Sequence, residues 1–190
     1  MAVLIERLER SLPISIEQRT KDSINWFRKN LRQIKLPPRR ISKEFDEYVD
    51  RVRLGRLYMF FYDPKTKDKL PYWDAFPLVF PIKRQRGGFL GINLHYIAPR
   101  YRAVLFTNLM EYLNNEEYDE TTRLRLTYDV LNSVGKLRYH RPCLKRYLYG
   151  HINSKIKDIP PNDWEVVTMI PSQQFTENAN TVYADSKRKF

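Results

Sequence analysis

The chain has 190 residues, 42% of them hydrophobic and 14% aromatic, with 13 Tyr and 10 Phe. That content excludes the disordered class and allows one domain, with or without a helical appendage, to bury a real core. Lys and Arg number 34 against 22 Asp and Glu, a formal net charge of +12, which favours phosphate-rich or acidic partners and says nothing about fold.

Cys143 is the single cysteine, so no internal disulfide and no thiolate metal cluster is expected, and a reducing compartment fits. The opening MAVLIERLER is charged by its sixth residue, so no secretory signal is expected. No apolar run approaches the roughly 18 residues of a membrane span. These readings predict a soluble protein made in a cytoplasm.

Residues 14–35 read as an amphipathic helix. Ile24, Phe27, Leu31 and Ile34 recur at spacings of three and four with Trp26 on the flank, and Pro37 and Pro38 stop it. One helix cannot bury such a stripe alone, so it docks on the body or on a neighbouring subunit; with a polar linker at 36–55, a peripheral, partner-binding arm is expected.

The period then changes. Arg56–Tyr62, bounded by Gly55 and Asp63-Pro64, predicts a strand. Leu78–Ile82 predicts a second, which Pro77 and Pro81 push towards an edge. Lys83–Gly88 reads as a hairpin turn with glycines where positive φ is cheap. Phe89–Tyr96 is the third strand, with Gly91 marking a bulge or a close backbone approach.

From Pro99 the period is helical again. Residues 100–113 place Tyr101, Val104, Leu105, Leu109, Tyr112 and Leu113 on one face. Thr121 or Thr122 caps a helix over 122–133, packed through Leu124, Leu126, Val130 and Leu131. Pro142 suits the first position of a helix over 142–156. Trp164–Ile170 is β-branched enough for a fourth strand. The tail from Ser172 predicts a short helix or a loose end.

Charge is distributed unevenly. Residues 28–43 carry Arg28, Lys29, Arg32, Lys35, Arg39, Arg40 and Lys43 without an acid, and residues 136–157 carry Lys136, Arg138, Arg141, Lys145, Arg146, Lys155 and Lys157 without one. Lys83, Arg84, Arg86, Arg100 and Arg102 precede the next acid, Glu111. Like charges four apart on a helix repel by roughly 0.2–0.5 kcal/mol, so acid-free stretches of this length call for an external counter-charge. Phosphates would provide it, with counterion release giving affinity without sequence reading. Tyr139, Tyr147 and Tyr149 interleave with the basic residues of 136–157, flanked by His140 and His151. They would either stack on exposed bases or pack the helix on the sheet.

Catalytic patterns are weak. His95, His140 and His151 lack a close ligand spacing, and no GxSxG elbow or Walker loop occurs. Asp63, Asp68 and Asp74 would be a nuclease's carboxylates, but Lys65, Lys67 and Lys69 interleave with them. Cys143, beside Pro142, reads as a buried structural thiol rather than a reactive one.

The segments YMFFYDPKTKDKLPYWDAFPLVFPI (58–82), GGFLGINLHYIAPRYRAVL (87–105), RPCLKRYLYGHI (141–152) and VYADS (182–186) occur in order. Together they resemble a small virion protein of T-even-like and other contractile-tailed bacteriophages, over about residues 55–186. The resemblance implies a phage particle component without catalysis, of the kind labelled DNA-end-protecting, head-completion or structural protein. It supplies no functional residues to carry over.

The expected fold is α+β: a small antiparallel, partly closed, barrel-like sheet with packed helices and an N-terminal helical arm. Residues 1–54 would be arm and linker, 55–171 the core domain and 172–190 a polar basic tail. The expected function is a non-enzymatic structural component of a tailed-phage particle, acting in virion assembly and contacting DNA non-specifically near the head, neck or DNA end. Lys83, Arg84, Arg86, Arg138, Arg141, Lys145 and Arg146 would contact phosphate, and Ile24, Trp26, Phe27, Leu31 and Ile34 would form the partner-binding arm. No metal, cofactor or membrane is expected. The partners would be other virion proteins and phage double-stranded DNA in a symmetric multi-subunit assembly, built in the host cytoplasm and located in the virion. A tail or baseplate subunit using protein contacts only, and a head-completion nuclease, stay open as alternatives.

Overall fold

The structure is a computed structural model that describes residues 28–113, 117–136 and 142–188. Its elements are α1 (Pro38–Lys43), β1 (Tyr48–Val49), β2 (Leu57–Met59), β3 (Leu78–Gln85), β4 (Gly88–Asn93), α2 (Pro99–Leu113), α3 (Glu120–Lys136), β5 (Leu144–Leu148), β6 (Ile156–Ile159), α4 (Trp164–Met169) and α5 (Ala179–Arg188). The expected α+β class is present. Antiparallel pairs join the strands into one six-stranded sheet in the order β1-β6-β2-β3-β4-β5. The sheet is open. Closing it would require β1 to pair with β5, and β1 is two residues long and pairs with β6, so the barrel-like expectation is corrected.

Three strand readings match elements, with adjustments. The second is not at an edge: β3 lies between β2 and β4, and Pro81 is accommodated where the register with β4 shifts between Pro81 and Lys83. Opposite Pro81 stands Gly91, where a Cβ would lie 2.3 Å from Val79 Cγ1 and 3.0 Å from the Phe80 carbonyl. The close approach expected there is real.

Two readings take the wrong period. Residues 142–156 are not a helix: they contain β5, and β6 begins at Ile156. Pairing on β4 buries Tyr147, which a free helix would not, so tertiary context overrides the Pro142 signal. Residues 164–170 are not a strand. Pro161 opens a 3-10 turn, Pro161–Asp163, that runs into α4, with Glu165 in the first turn. Both are helix-start signals. All six residues of α4 are buried, so the run shows no amphipathic period to read.

The main core lies between the sheet and α2, α3 and α4. Phe80 and Ile92 meet Leu105, Phe106, Leu109, Leu131 and Val167 there, and the Phe80 and Trp164 rings lie edge to face at 4.9 Å. On α2 the buried stripe is Arg102, Leu105, Phe106 and Leu109, whereas Tyr101 and Val104, expected inside, are 47% and 59% exposed. A buried arginine at the head of the stripe disguises its phase. Leu131 anchors α3, whose N-terminus is capped by the Asp119 carboxylate accepting from the Thr122 N–H at 2.7 Å. The cap lies before both threonines expected to provide it.

The other face of the sheet is an aromatic cluster. Phe60 and Tyr147 lie 5.3 Å apart, Tyr62 and Tyr147 4.9 Å, and Phe89 and Tyr147 5.4 Å. Such ring pairs contribute about 0.5–1.5 kcal/mol each beyond their area.

Ile24, Trp26 and Phe27 of the expected arm lie outside the described residues. Residues 28–31 are helical, and Leu31 is fully buried in the main core with Ile34 packed against it. Within the stretch read as a linker, Ile41 and Phe45 join the main core and Val52 the aromatic one. The C-terminal segment also packs: Phe175 bridges to Asp74, and Val182 on α5 is fully buried.

Candidate nucleic-acid interface

The β3–β4 hairpin and β5 carry the basic surface. The turn is Arg86-Gly87, with Gly87 at φ +73° where a side chain would be strained. At Gly88 a Cβ would sit 1.9 Å from the Tyr147 carbonyl, so only glycine lets β4 and β5 pair this closely. The resulting register aligns Lys83 with Leu90 and Leu90 with Arg146, then Arg84 with Phe89 and Phe89 with Tyr147. Arg146 donates from Nη2 to the Arg86 carbonyl at 3.5 Å.

Lys83, Arg84, Arg86 and Arg146 are all exposed, and among the described residues none of them pairs with a carboxylate. Lys145 is half-buried, its ammonium 4.1 Å from the centre of the Tyr96 ring. Five of the seven residues expected to contact phosphate thus lie on the β3–β4 hairpin and β5, with Lys83 and Arg146 on the face of Leu90 and Arg84 on the opposite face, that of Phe89 and Tyr147. Arg138 and Arg141 lie outside the described residues.

Not every cation of the acid-free stretches faces outward. Arg28 is buried and donates from Nε to Glu165 at 2.8 Å. Arg102 is buried and donates to the carbonyls of Ile97 (2.6 Å), Thr168 (3.1 Å) and His95 (3.1 Å) and to the Tyr183 hydroxyl (2.9 Å). Burial pulls its pKa down, and Tyr183 and Asp74 oppose the shift.

Beside the basic patch a cleft of about 600 Å³ runs along β5 and is closed on its other side by the loop after β2. Its walls combine Lys65, Lys145 and Arg146 with Tyr62, Tyr72, Trp73 and Tyr96. Sequence reasoning misses this site. The signal present is KLPYWD (69–74), an aromatic pair close to a lysine, in a loop read above only for its carboxylates. Tyr147 is buried in the aromatic cluster, and Tyr149 packs its ring 5.7 Å from Phe89. These two tyrosines hold the strand in place.

Asp63, Asp68 and Asp74 are not gathered for a metal. Asp63 pairs with Lys67 at 3.0 Å on the surface, Asp68 lies in an exposed 3-10 turn, and Asp74 is buried. The Asp74 carboxylate accepts from His95 Nδ1 (2.7 Å), Asn93 Nδ2 (3.1 Å) and the backbone N–H groups of Phe76 (3.1 Å) and Gln174 (3.0 Å). Burial alone would raise its pKa, but His95 and these donors hold it below the usual range.

His95 Nε2 in turn lies 3.0 Å from Ser172 Oγ. With Asp74 accepting at Nδ1, Nε2 accepts the hydroxyl proton of Ser172. Burial lowers the His95 pKa although Asp74 opposes it, which favours this neutral form. The order hydroxyl, imidazole, carboxylate is that of a nucleophilic relay. Here His95 is 0% and Ser172 2% exposed, whereas attack needs a substrate within about 3–3.5 Å. In this conformation the chain ties the end of β4 to the C-terminal segment. Cys143 is equally enclosed, and burial pushes its thiol up to about 12 against the pull of Lys145 and Arg102.

Fold and surface together define a class: a basic α+β protein whose β3–β4 hairpin and edge strand β5 carry exposed cations. Among the described residues no His, Cys, Asp and Glu cluster could hold a metal ion, and no helix is long and apolar enough to cross a membrane. Over residues 8–188 the sequence matches the family model described as Phage T4 terminal DNA protecting protein. The chain belongs to that family of bacteriophage DNA-end protectors, the family to which its ordered segments point. Neither a search of curated proteins nor one of solved structures returned a match.

Proposed function

We propose that the protein is a non-enzymatic structural component of a tailed-phage particle that covers a DNA end and grips its phosphates without reading sequence. The grip comes from Lys83, Arg84 and Arg86 on the hairpin with Lys145 and Arg146 on β5. The observation that carries this reading is the contact of Arg146 with the Arg86 carbonyl. It brings β5, from one acid-free stretch, against the β3–β4 turn of another, so that exposed cations of both lie around the hairpin end of the sheet. Membership of a DNA-protecting family favours DNA over an acidic protein neighbour as the missing counter-charge.

On this reading the protein acts in virion assembly, is located in the virion, and sits among other virion proteins at the packaged DNA end. Phosphate contact alone gives affinity that falls with salt at a log–log slope of about −0.9 per phosphate neutralised. Titration of random-sequence duplex DNA over a salt series is the test. Roughly micromolar affinity near physiological salt with a steep negative slope supports the reading. Absence of binding at low salt removes it.

A further inference from the structure

A DNA end differs from the interior of a duplex in its terminal nucleotide, whose base can leave the stack and whose phosphate is not crowded by a neighbour. The basic hairpin, open to solvent, offers nothing that discriminates the two. The cleft beside it does. At about 600 Å³ it falls in the range of roughly 300–1,000 Å³ that suits a small ligand, and it has no room for a duplex.

Its chemistry is that of a nucleotide site. Trp73 is half-buried and Leu70 is 40% exposed, so an indole and an aliphatic side chain are available at the cleft to a flat ring. Base–aromatic stacking of this kind is tolerant of sequence. Lys65 on the loop and Lys145 and Arg146 on β5 bring cations from both sides. Among the described residues the one carboxylate in the lining, Asp74, already accepts from His95, Asn93 and two backbone N–H groups.

The edge of β5 argues against an extended peptide as the occupant. The Tyr149 N–H bonds to the Gly87 carbonyl, inward, whereas the Leu148 N–H bonds to the Tyr62 hydroxyl, outward at 3.2 Å. Backbone groups alternate along a strand, so those of Arg146 and Leu144 also face the cleft. Strand addition needs a longer free edge, and Tyr62 closes this one at Leu148. What remains is short: two outward-facing backbone positions, at Leu144 and Arg146, suited to a phosphate rather than a strand.

We propose that this cleft takes a single unpaired terminal nucleotide of DNA, its phosphate between Lys65 and the Lys145–Arg146 pair and its base against Trp73. The hairpin meanwhile holds the adjoining duplex. The inference rests on the DNA-contact reading above and adds to it the element that recognises an end.

The test compares a linear duplex carrying one unpaired nucleotide at each end with a relaxed, covalently closed circle of the same sequence. Full-length protein and a Trp73→Leu, Lys65→Ala variant are used, neither change touching the hairpin. Each binding curve is read with the tryptophan fluorescence, which stacking of a base on Trp73 would quench. The wild type should bind the linear DNA at least about tenfold more tightly per end than an equal length of circle, with quenching. The variant should lose that preference while binding the circle as before, which also shows that it is folded. Equal wild-type binding to both DNAs overturns the cleft assignment and leaves the phosphate grip standing. An end preference that survives in the variant overturns the cleft alone. Failure of the wild type to bind either DNA sinks both readings.

Discussion

Arg146 and Arg86, 60 residues apart, touch through a 3.5 Å hydrogen bond from guanidinium to carbonyl, although both side chains are cations on an exposed surface. The exposed guanidinium of β5 is thereby held against the backbone of the β3–β4 turn. Phe89 and Tyr147 are paired in register and buried in the aromatic cluster, so the outward-facing arginine has no freedom to retreat.

Replacing Lys83, Arg84 and Arg86 by alanine should therefore weaken binding to all DNA sequences alike. The log–log salt slope should become shallower by about 0.9 for each phosphate contact removed. Arg146→Ala should act in the same direction, by about 1 in slope. Fluorescence anisotropy over a salt series reads this out. A slope unchanged in the triple variant would place the DNA elsewhere.

Arg102, in the first turn of α2, is buried with three backbone carbonyls and the Tyr183 hydroxyl as its acceptors. Arg102→Met keeps much of the volume but leaves those oxygens without donors. We expect a loss of about 2–4 kcal/mol, seen as a lower urea midpoint with an unchanged m value. Tyr183→Phe removes one of the acceptors and should cost about 1 kcal/mol. A Met variant as stable as the wild type would mean that water replaces the guanidinium.

Glycine substitutions in the hairpin should separate strain from collision. Gly87 has φ +73° with nothing within 4 Å of the place a methyl would take, so Gly87→Ala should cost about 1 kcal/mol through backbone strain alone. At Gly91 the methyl meets Val79 Cγ1 and the Phe80 carbonyl, an overpacking cost of about 1–3 kcal/mol. At Gly88 the obstacle is the Tyr147 backbone, which cannot turn aside. Gly88→Ala should be the most damaging, and it should weaken DNA binding as well, because it displaces β5. Equal urea midpoints for the three variants would contradict this register.

The His95–Asp74 pair sets a direction for stability against pH. Burial holds the His95 pKa below its unfolded value, so between the two values the unfolded chain binds more protons. The contribution is full above about pH 6.5, the unfolded histidine value, and is lost as pH falls below it. Asp74 is also depressed, so its contribution holds above about pH 3.9 and is lost on further acidification. Urea midpoints should therefore fall from pH 8 to pH 5, and the fall should be smaller in His95→Gln. A midpoint that rises on acidification would show that His95 is charged in the fold.

Cys143 is 2% exposed and its thiol is pushed up to about 12. A disulfide reagent at pH 8 should leave it unmodified in the native protein and label it fully in urea. Rapid native labelling would mean that β5 opens easily.

Some of this is readable in the residues. Pro99 and the apolar spacing after it foretell α2, and Arg86-Gly87-Gly88 between two apolar runs foretells the hairpin. Gly91 announces a close approach that is present in atomic detail. Other parts mislead. WEVVTM is buried on every side in α4, and a helix with no polar face has the same pattern as a buried strand. Tyr101 and Val104 outvote Arg102 for the buried face of α2, because a charged residue is not counted as core until its acceptors are known. Trp73 stays hidden among the carboxylates and lysines of its loop, since nothing local shows that β5 lies across from it.

Charge, aromatic content, the turn glycines and the ordered phage-like segments belong to the chain as written, because each is a matter of composition or of contacts a few residues long. The pairing of β5 on β4 is decided only on folding, as are the meeting of Arg146 with Arg86 and the enclosure of Asp74, His95 and Ser172. Those contacts join residues far apart in the chain, and what selects them is the burial of Phe89, Tyr147 and Asn93 against partners that no local spacing reveals.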